Sequence, residues 1–156
     1  MTNRPIANDR RIVVGVDGST GSATALRWAI RQAERTGATV EAVSTWQNPA
    51  MSGYAIGWAP MAYDGDSLAT IAEKTLTETV ADVTAQHTTS VDIVTHVVQG
   101  HPAEILLHAA NGADLLVVGS RGHGTFAGIL LGSVSQHCVQ HAPCPVVVVP
   151  QDQPSR

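Results

Sequence analysis

The chain has 156 residues, enough for one domain that buries roughly two thirds of its unfolded surface, and it carries a formal net charge of −4 with a pI near 5.9. That acidic balance, with Lys74 the only lysine, argues against the basic track of a nucleic-acid binder, and no run approaches the ~20 apolar residues of a membrane span. Two cysteines, Cys138 and Cys144, are too few for a disulfide-held scaffold and fit a reducing compartment; with no apolar signal core behind Met1-Thr2-Asn3-Arg4-Pro5, the expected location is the cytoplasm.

Residues 1–10 read as a tail, 11–150 as the domain and 151–156 as a second tail. The β-branched run from Ile12 to Val16, closed by Asp17-Gly18-Ser19, predicts a first buried strand. The period then changes to that of a helix, with Leu26, Ala29, Ile30 and Ala33 in one stripe, Ser19 to Ser22 available as caps and Gly37 as the stop. Thr39 to Trp46 is the second strand. Gln47 to Asp66, with Tyr54, Trp58 and Tyr63 among glycines and prolines, reads as a long loop, either a functional cover or a disordered excursion. A second helix carries Leu68, Ile71, Ala72, Leu76, Val80 and Val83 on one face, and Val91 to Val98 is the third strand. Gly100-His101-Pro102 opens a short third helix that Gly112 ends, with Pro102 suited to its first turn. Asp114 to Gly119 is strand four, Gly132 to His141 the last helix and Val146 to Val149 the last strand.

Strands alternating with helices imply right-handed βαβ units, and so an α/β, doubly wound, five-stranded parallel sheet covered on both faces, Rossmann-like and ordered 3-2-1-4-5. In such a sheet a ligand sits outside the carboxyl ends of the strands where the order reverses, here between strands one and four. Gly119-Ser120-Arg121-Gly122, followed by nine residues and then Gly132-Ser133-Val134, lies at that point. Glycines admit a ligand close to the backbone, and the free N–H groups of a helix start favour an anion. The stretch lacks the Gly-Lys-Ser/Thr ending of a Walker A loop, and Gly119-Ser-Arg-Gly-His-Gly124 follows the wrong strand for a dinucleotide fingerprint. Backbone amides, Ser133 and the last helix, with Arg121 the only nearby fixed cation, would hold the phosphates.

The spacing G-x2-G-x9-G-S after strand four, together with Val14-Gly15-Val16-Asp17-Gly18-Ser19 at strand one, resembles the ATP-binding branch of the universal stress protein family over about Arg11 to Pro150. The resemblance implies ATP as ligand, with Mg2+. It implies that Asp17 holds the adenine with main-chain groups near Gly15 and Thr45, that Val118 and Gly119 line the ribose and phosphate side, and that Gly122, Gly132, Ser133 and Val134 wrap the phosphates. Ser44-Thr45-Trp46 departs from the family's usual His-Val or His-Ala pair, and the Gln47 to Asp66 loop departs in length and composition.

Each residue has a plainer reading. Gly119, Gly122 and Gly132 also serve as turn or packing glycines, Asp17 as a cap of the first helix, and Ser133 as the N-cap of the last. Arg121 is equally a solvated loop charge, whereas His123, beside Gly124, is within the loop and can donate to a phosphate. His101 reads as a helix-entry residue. His137 and His141, at i and i+4 near Cys138 and Cys144, have the spacing of a metal pair, but Cys138 falls on the buried side and no C-x-x-C exists, so no metal site is expected. Hydrolysis asks for a positioned base, a metal-holding carboxylate and a cation, for which only Asp17, His123 and Arg121 stand as candidates. The expectation is therefore a regulatory nucleotide-binding module of stress response, at most a slow ATPase. The alternatives are a nucleotide hydrolase, a nucleotidyl-transfer enzyme or a purely protein-binding module. The last strand is apolar throughout at a sheet edge, which predicts a homodimer through Val146 to Val149, as the resemblance also implies. The downstream protein partner carries no signature.

Overall fold

The computed structural model describes residues 9–48, 65–121 and 131–151. The elements in chain order are β1 (Arg11–Gly15), α1 (Thr20–Thr36), β2 (Thr39–Trp46), α2 (Gly65–Gln86), β3 (Ile93–Gln99), α3 (Pro102–Ala109), β4 (Leu115–Gly119), α4 (Ser133–His141) and β5 (Val146–Val149). The strands form one five-stranded sheet in the order β3-β2-β1-β4-β5, with every pairing parallel. The reversal lies between β1 and β4, as the alternation of elements predicts. The expected cover over Gln47 to Asp66 falls largely outside the described residues, as do Tyr54, Trp58 and Tyr63.

Two apolar layers flank the sheet. On one face Ile12, Val14, Val40, Ala42 and Val117 pack against Ala25, Leu26, Ala29, Ile30 and Ala33 of α1 and Leu76 and Val83 of α2. On the other, Val13, Val43, Leu116 and Val118 meet Leu106 of α3 and Cys138 of α4. Central strands β1 and β4 are buried on both faces, which is why they read as unbroken Val, Leu and Ile runs.

Capping fixes the ends. The Ser19 hydroxyl accepts from the Ser22 N–H at 3.2 Å to start α1, and Gly37, with φ of 76°, donates to the Ala33 carbonyl to stop it. Pro102 fills the first turn of α3 after His101, a helix-entry residue that contributes no side-chain cap. Strand three starts later than its composition suggests. The Thr89 hydroxyl accepts from the Val91 N–H at 3.1 Å in a local turn, the Asp92 carbonyl accepts from the Val40 N–H at 2.9 Å, and registered pairing begins with Val40↔Ile93. Its residues alternate poorly because β3 is an edge strand with no fully buried position.

Candidate functional site

The carboxyl ends of β1, β2 and β4, the first turns of α2 and α3 and the start of α4 enclose a cavity of about 870 Å³. Its wall includes Gly15, Asp17, Thr45, Val118, Gly119, Arg121, Gly132, Ser133 and Val134, so nine of the sequence-derived candidates meet in one space. Ser120 is not on the wall. Gly122, His123 and Gly124 lie outside the described residues.

Asp17 stands just past β1 and organises the entry to α1. Its Oδ1 accepts from the Ser19 N–H at 2.9 Å and from the Ser19 hydroxyl, while the Ser22 hydroxyl accepts from the Asp17 N–H at 3.2 Å and donates to the Ser19 carbonyl at 3.0 Å. Asp17 therefore closes the turn ahead of α1 and is not the cap of the helix, which is Ser19, and that turn fixes the carboxylate at the cavity wall.

The glycine at 119 answers first to packing. A Cβ there would stand 3.0 Å from both the carbonyl carbon and oxygen of Gly21, and a Cβ on Gly21 would stand 2.8 Å from the Arg121 carbonyl oxygen. The first turn of α1 therefore lies directly on the chain leaving β4, an approach only two glycines permit. Beyond it, the Ser120 N–H donates to the Val149 carbonyl at 2.9 Å, and the Ser120 carbonyl accepts from the Gly132 N–H at 2.7 Å. The Ser135 hydroxyl, in a residue 3% exposed, reaches the carbonyls of Gly132 at 2.9 Å and Ser120 at 3.2 Å. The two ends of the motif are clasped together, and Ser120 belongs to that clasp.

Helix α4 starts one residue later than its glycine suggests. Gly132 is the N-cap and Ser133 the first helical residue, so Ser133 is not the cap. The first intrahelical bond is from the Gln136 N–H to the Gly132 carbonyl at 3.0 Å. The amides of Ser133, Val134 and Ser135 precede it and supply the positive end of the helix dipole at the cavity. The opposite wall is apolar: Val43, Trp46 and Leu106 are joined by Leu68, Ile71 and Ala72 of α2. Ile71 is 55% exposed, unlike Leu76 and Val83 on the same stripe. At ~33 Å, α2 outruns the ~26 Å of β2, so its first turns project past the strand ends and over the cavity.

Among the described wall residues Asp17 and Arg121 are the charged ones, and histidine, cysteine and lysine are absent. Such a wall grips through fixed donors, and the Ser19 hydroxyl beside Asp17 is taken up in the turn that starts α1. The His137 and His141 rings lie tilted at 47° with centroids 4.7 Å apart, while Cys138 is fully buried and its thiol is pushed up to about 11 by burial. Among the described residues no three His, Cys, Asp or Glu side chains gather closely enough to hold a metal ion. No described helix is long and apolar enough to cross a membrane.

The clasping hydroxyl of Ser135 escapes a sequence reading, since a serine in a helix's first turn looks like a surface residue. Gly21 left a weaker signal, a glycine in the first turn of a helix where its packing reason shows only once β4 is placed against it.

Residues 9–150 match the sequence profile of the Universal stress protein family. A universal stress protein of Mycobacterium tuberculosis is 36% identical over 146 residues, covering 90% of this chain and 44% of the relative, so the chain spans less than half the length of that protein. Among solved structures, a universal stress protein in complex with cAMP superposes with a TM-score of 0.65 at 27% identity, over 92% of this chain and 98% of that one. The Archaeoglobus fulgidus universal stress protein in complex with dAMP gives 0.63 at 21% identity, over 90% and 97%, a likeness of fold alone.

Proposed function

The chain belongs to the universal stress protein family, and we propose that it is an adenine-nucleotide-binding module whose occupancy is read by a partner protein in stress response. The observation that carries this reading is the meeting of Asp17, Thr45, Gly119, Arg121 and Gly132 to Val134 on one cavity at the reversal of strand order. The apolar wall of Val43, Trp46 and Leu106 suits a purine, and the first-turn amides of α4 suit the phosphate. A solved relative at 27% identity holds cAMP, a member of the same ligand class, while the resemblance to the family's ATP-binding branch implies ATP. In this reading Asp17 and the main chain at Gly15 and Thr45 take the base, and Gly132, Ser133 and Val134 the phosphate.

Magnesium enters this site as a companion of the nucleotide. Asp17 is the single carboxylate among the described wall residues, and Mg2+ needs about six oxygens, so phosphate oxygens and water supply the rest. Reporting by occupancy fits a wall of fixed donors. Homodimerisation through Val146 to Val149 is part of the proposal. β5 is a sheet edge paired only to β4, and Val146, Val147 and Val148 are half-buried on it.

The test is direct. Protein purified without added nucleotide is denatured and the supernatant chromatographed; an adenine nucleotide in near-stoichiometric amount is the expected result. A ligand-free preparation that also binds none of ATP, AMP or cyclic AMP in titration contradicts the proposal.

A further inference from the structure

The outer face of α1 carries a row of arginines. Arg27, Arg31 and Arg35 stand at i, i+4 and i+8, and Trp28 joins Arg31 and Arg35 at i, i+3 and i+7. The inner stripe of this helix, Ala25, Leu26, Ala29, Ile30 and Ala33, is buried on the sheet, so the row points away from it. Arg31 and Arg35 are exposed, and Arg27 and Trp28 half-buried. Among the described residues neither the Arg31 nor the Arg35 guanidinium is in a hydrogen bond or ion pair, although Arg31 adds to the field on Glu34. Arg27 is held loosely. Its Nη1 donates to the Thr24 hydroxyl at 3.3 Å while its Nε–H is buried with no partner among the described residues, so swinging outward gives up one long bond and releases an unsatisfied donor. Glu34, the one acid of α1, is taken up at the end of α2 by His87 at 2.8 Å. The helix thus carries +3 and −1, a net +2, in a chain of net −4.

We infer that this face of α1 is a docking surface for a short acidic segment of a partner protein. Guanidinium forks pair with carboxylates two hydrogen bonds at a time, and arginine with tryptophan is the composition that carries interface energy. The row is short, ~12 Å from Arg27 to Arg35, about the reach of four extended residues. Its ~6 Å steps match carboxylates on alternate residues of an extended segment, ~6.7 Å apart. Beside it on the same layer, α2 exposes Glu73, Glu78 and Asp82 against Lys74 alone. A nucleic acid or an anionic membrane, whose charge extends well beyond ~12 Å, would run off the row onto those acids. None of Arg27, Trp28, Arg31 and Arg35 is on the wall of the nucleotide cavity, so the surface stands whether or not that cavity takes a nucleotide.

The test is an amide chemical-shift titration of the full chain in about 0.05 M salt. The probe is a capped heptapeptide in which four glutamates alternate with three threonines. Saturable shifts are expected along α1 from Thr24 to Thr36, absent with the all-glutamine counterpart and largely lost in about 0.5 M salt. Arg31→Gln with Arg35→Gln, at exposed positions where glutamine keeps the helix, is expected to weaken binding about fivefold or more. Arg31→Lys with Arg35→Lys keeps the charge without the fork and is expected to weaken it about threefold, while Lys74→Gln, off the row, leaves it unchanged. No binding, saturable shifts confined to other surfaces, or an affinity unmoved by Arg31→Gln with Arg35→Gln overturns the inference. So does tighter binding on α1 of a ten-nucleotide oligouridylate or of phosphatidylserine vesicles, which would assign the row to nucleic acid or membrane.

Discussion

Two glycines and a buried hydroxyl give the motif its shape. Gly119→Ala sets a Cβ 3.0 Å from the backbone of Gly21, and backbone cannot yield as a flexible side chain does. The expected outcome is a loss of about 1–3 kcal/mol in urea unfolding, accompanied by weaker nucleotide binding because α1 and the Asp17–Ser19 turn are pushed away from β4. Ser135→Ala breaks the hydroxyl link to the Ser120 and Gly132 carbonyls, for an expected loss of about 1 kcal/mol by the same measurement. Cys138 is 0% exposed, and burial raises its thiol to about 11, so below that pH it stays a thiol. Ellman's reagent near pH 8 is expected to reach Cys138 only on unfolding, with a fast native reaction confined to Cys144 at most. The glycine at 119 was legible in the sequence, but its reason was not: contact with Gly21 is made across 98 positions of chain, and no local pattern encodes it.

At the level of elements, the ends of α1 and α2 are tied by His87 and Glu34 at 2.8 Å. Hydrogen bonding from Thr89 and then from His87 holds the Glu34 carboxyl below the ordinary glutamate value. A depressed carboxylate contributes stability that is present above its unfolded value and is lost as pH falls through the folded one. The stability difference between the native chain and Glu34→Gln is therefore expected to be small but present at neutral pH, and to vanish in acid below the usual carboxylate range. A difference that grows on acidification contradicts this. Strand and helix identities were legible because hydrophobic period and caps are local: Ser19, Gly37 and Pro102 each stand where the chemistry of an end requires them. The start of β3 was not, because Val91 reads as strand by composition while the Thr89 hydroxyl holds its amide in a local turn ahead of the paired residues. Nor was the apolar wall of the cavity, since Leu68 and Ile71 read as core stripe until the overhang of α2 past the strand ends is known.

For the molecule as a whole, alternation of elements and right-handed crossovers make the sheet parallel, and its observed order β3-β2-β1-β4-β5 creates the crevice between β1 and β4. The same topology leaves the four valines of β5 at an edge. Light scattering at micromolar concentration is expected to give twice the 16.3 kDa chain mass, and Val148→Pro, whose N–H faces the open edge, to shift it toward the monomer; a monomer in the native chain contradicts the dimer. The measurement that tests the central claim most directly is amide chemical-shift mapping of the native chain with AMP. Saturable shifts are predicted at Gly15, Asp17, Thr45 and Gly119 and at the first-turn amides Ser133, Val134 and Ser135. Saturable shifts confined to other surfaces, or none, contradict it.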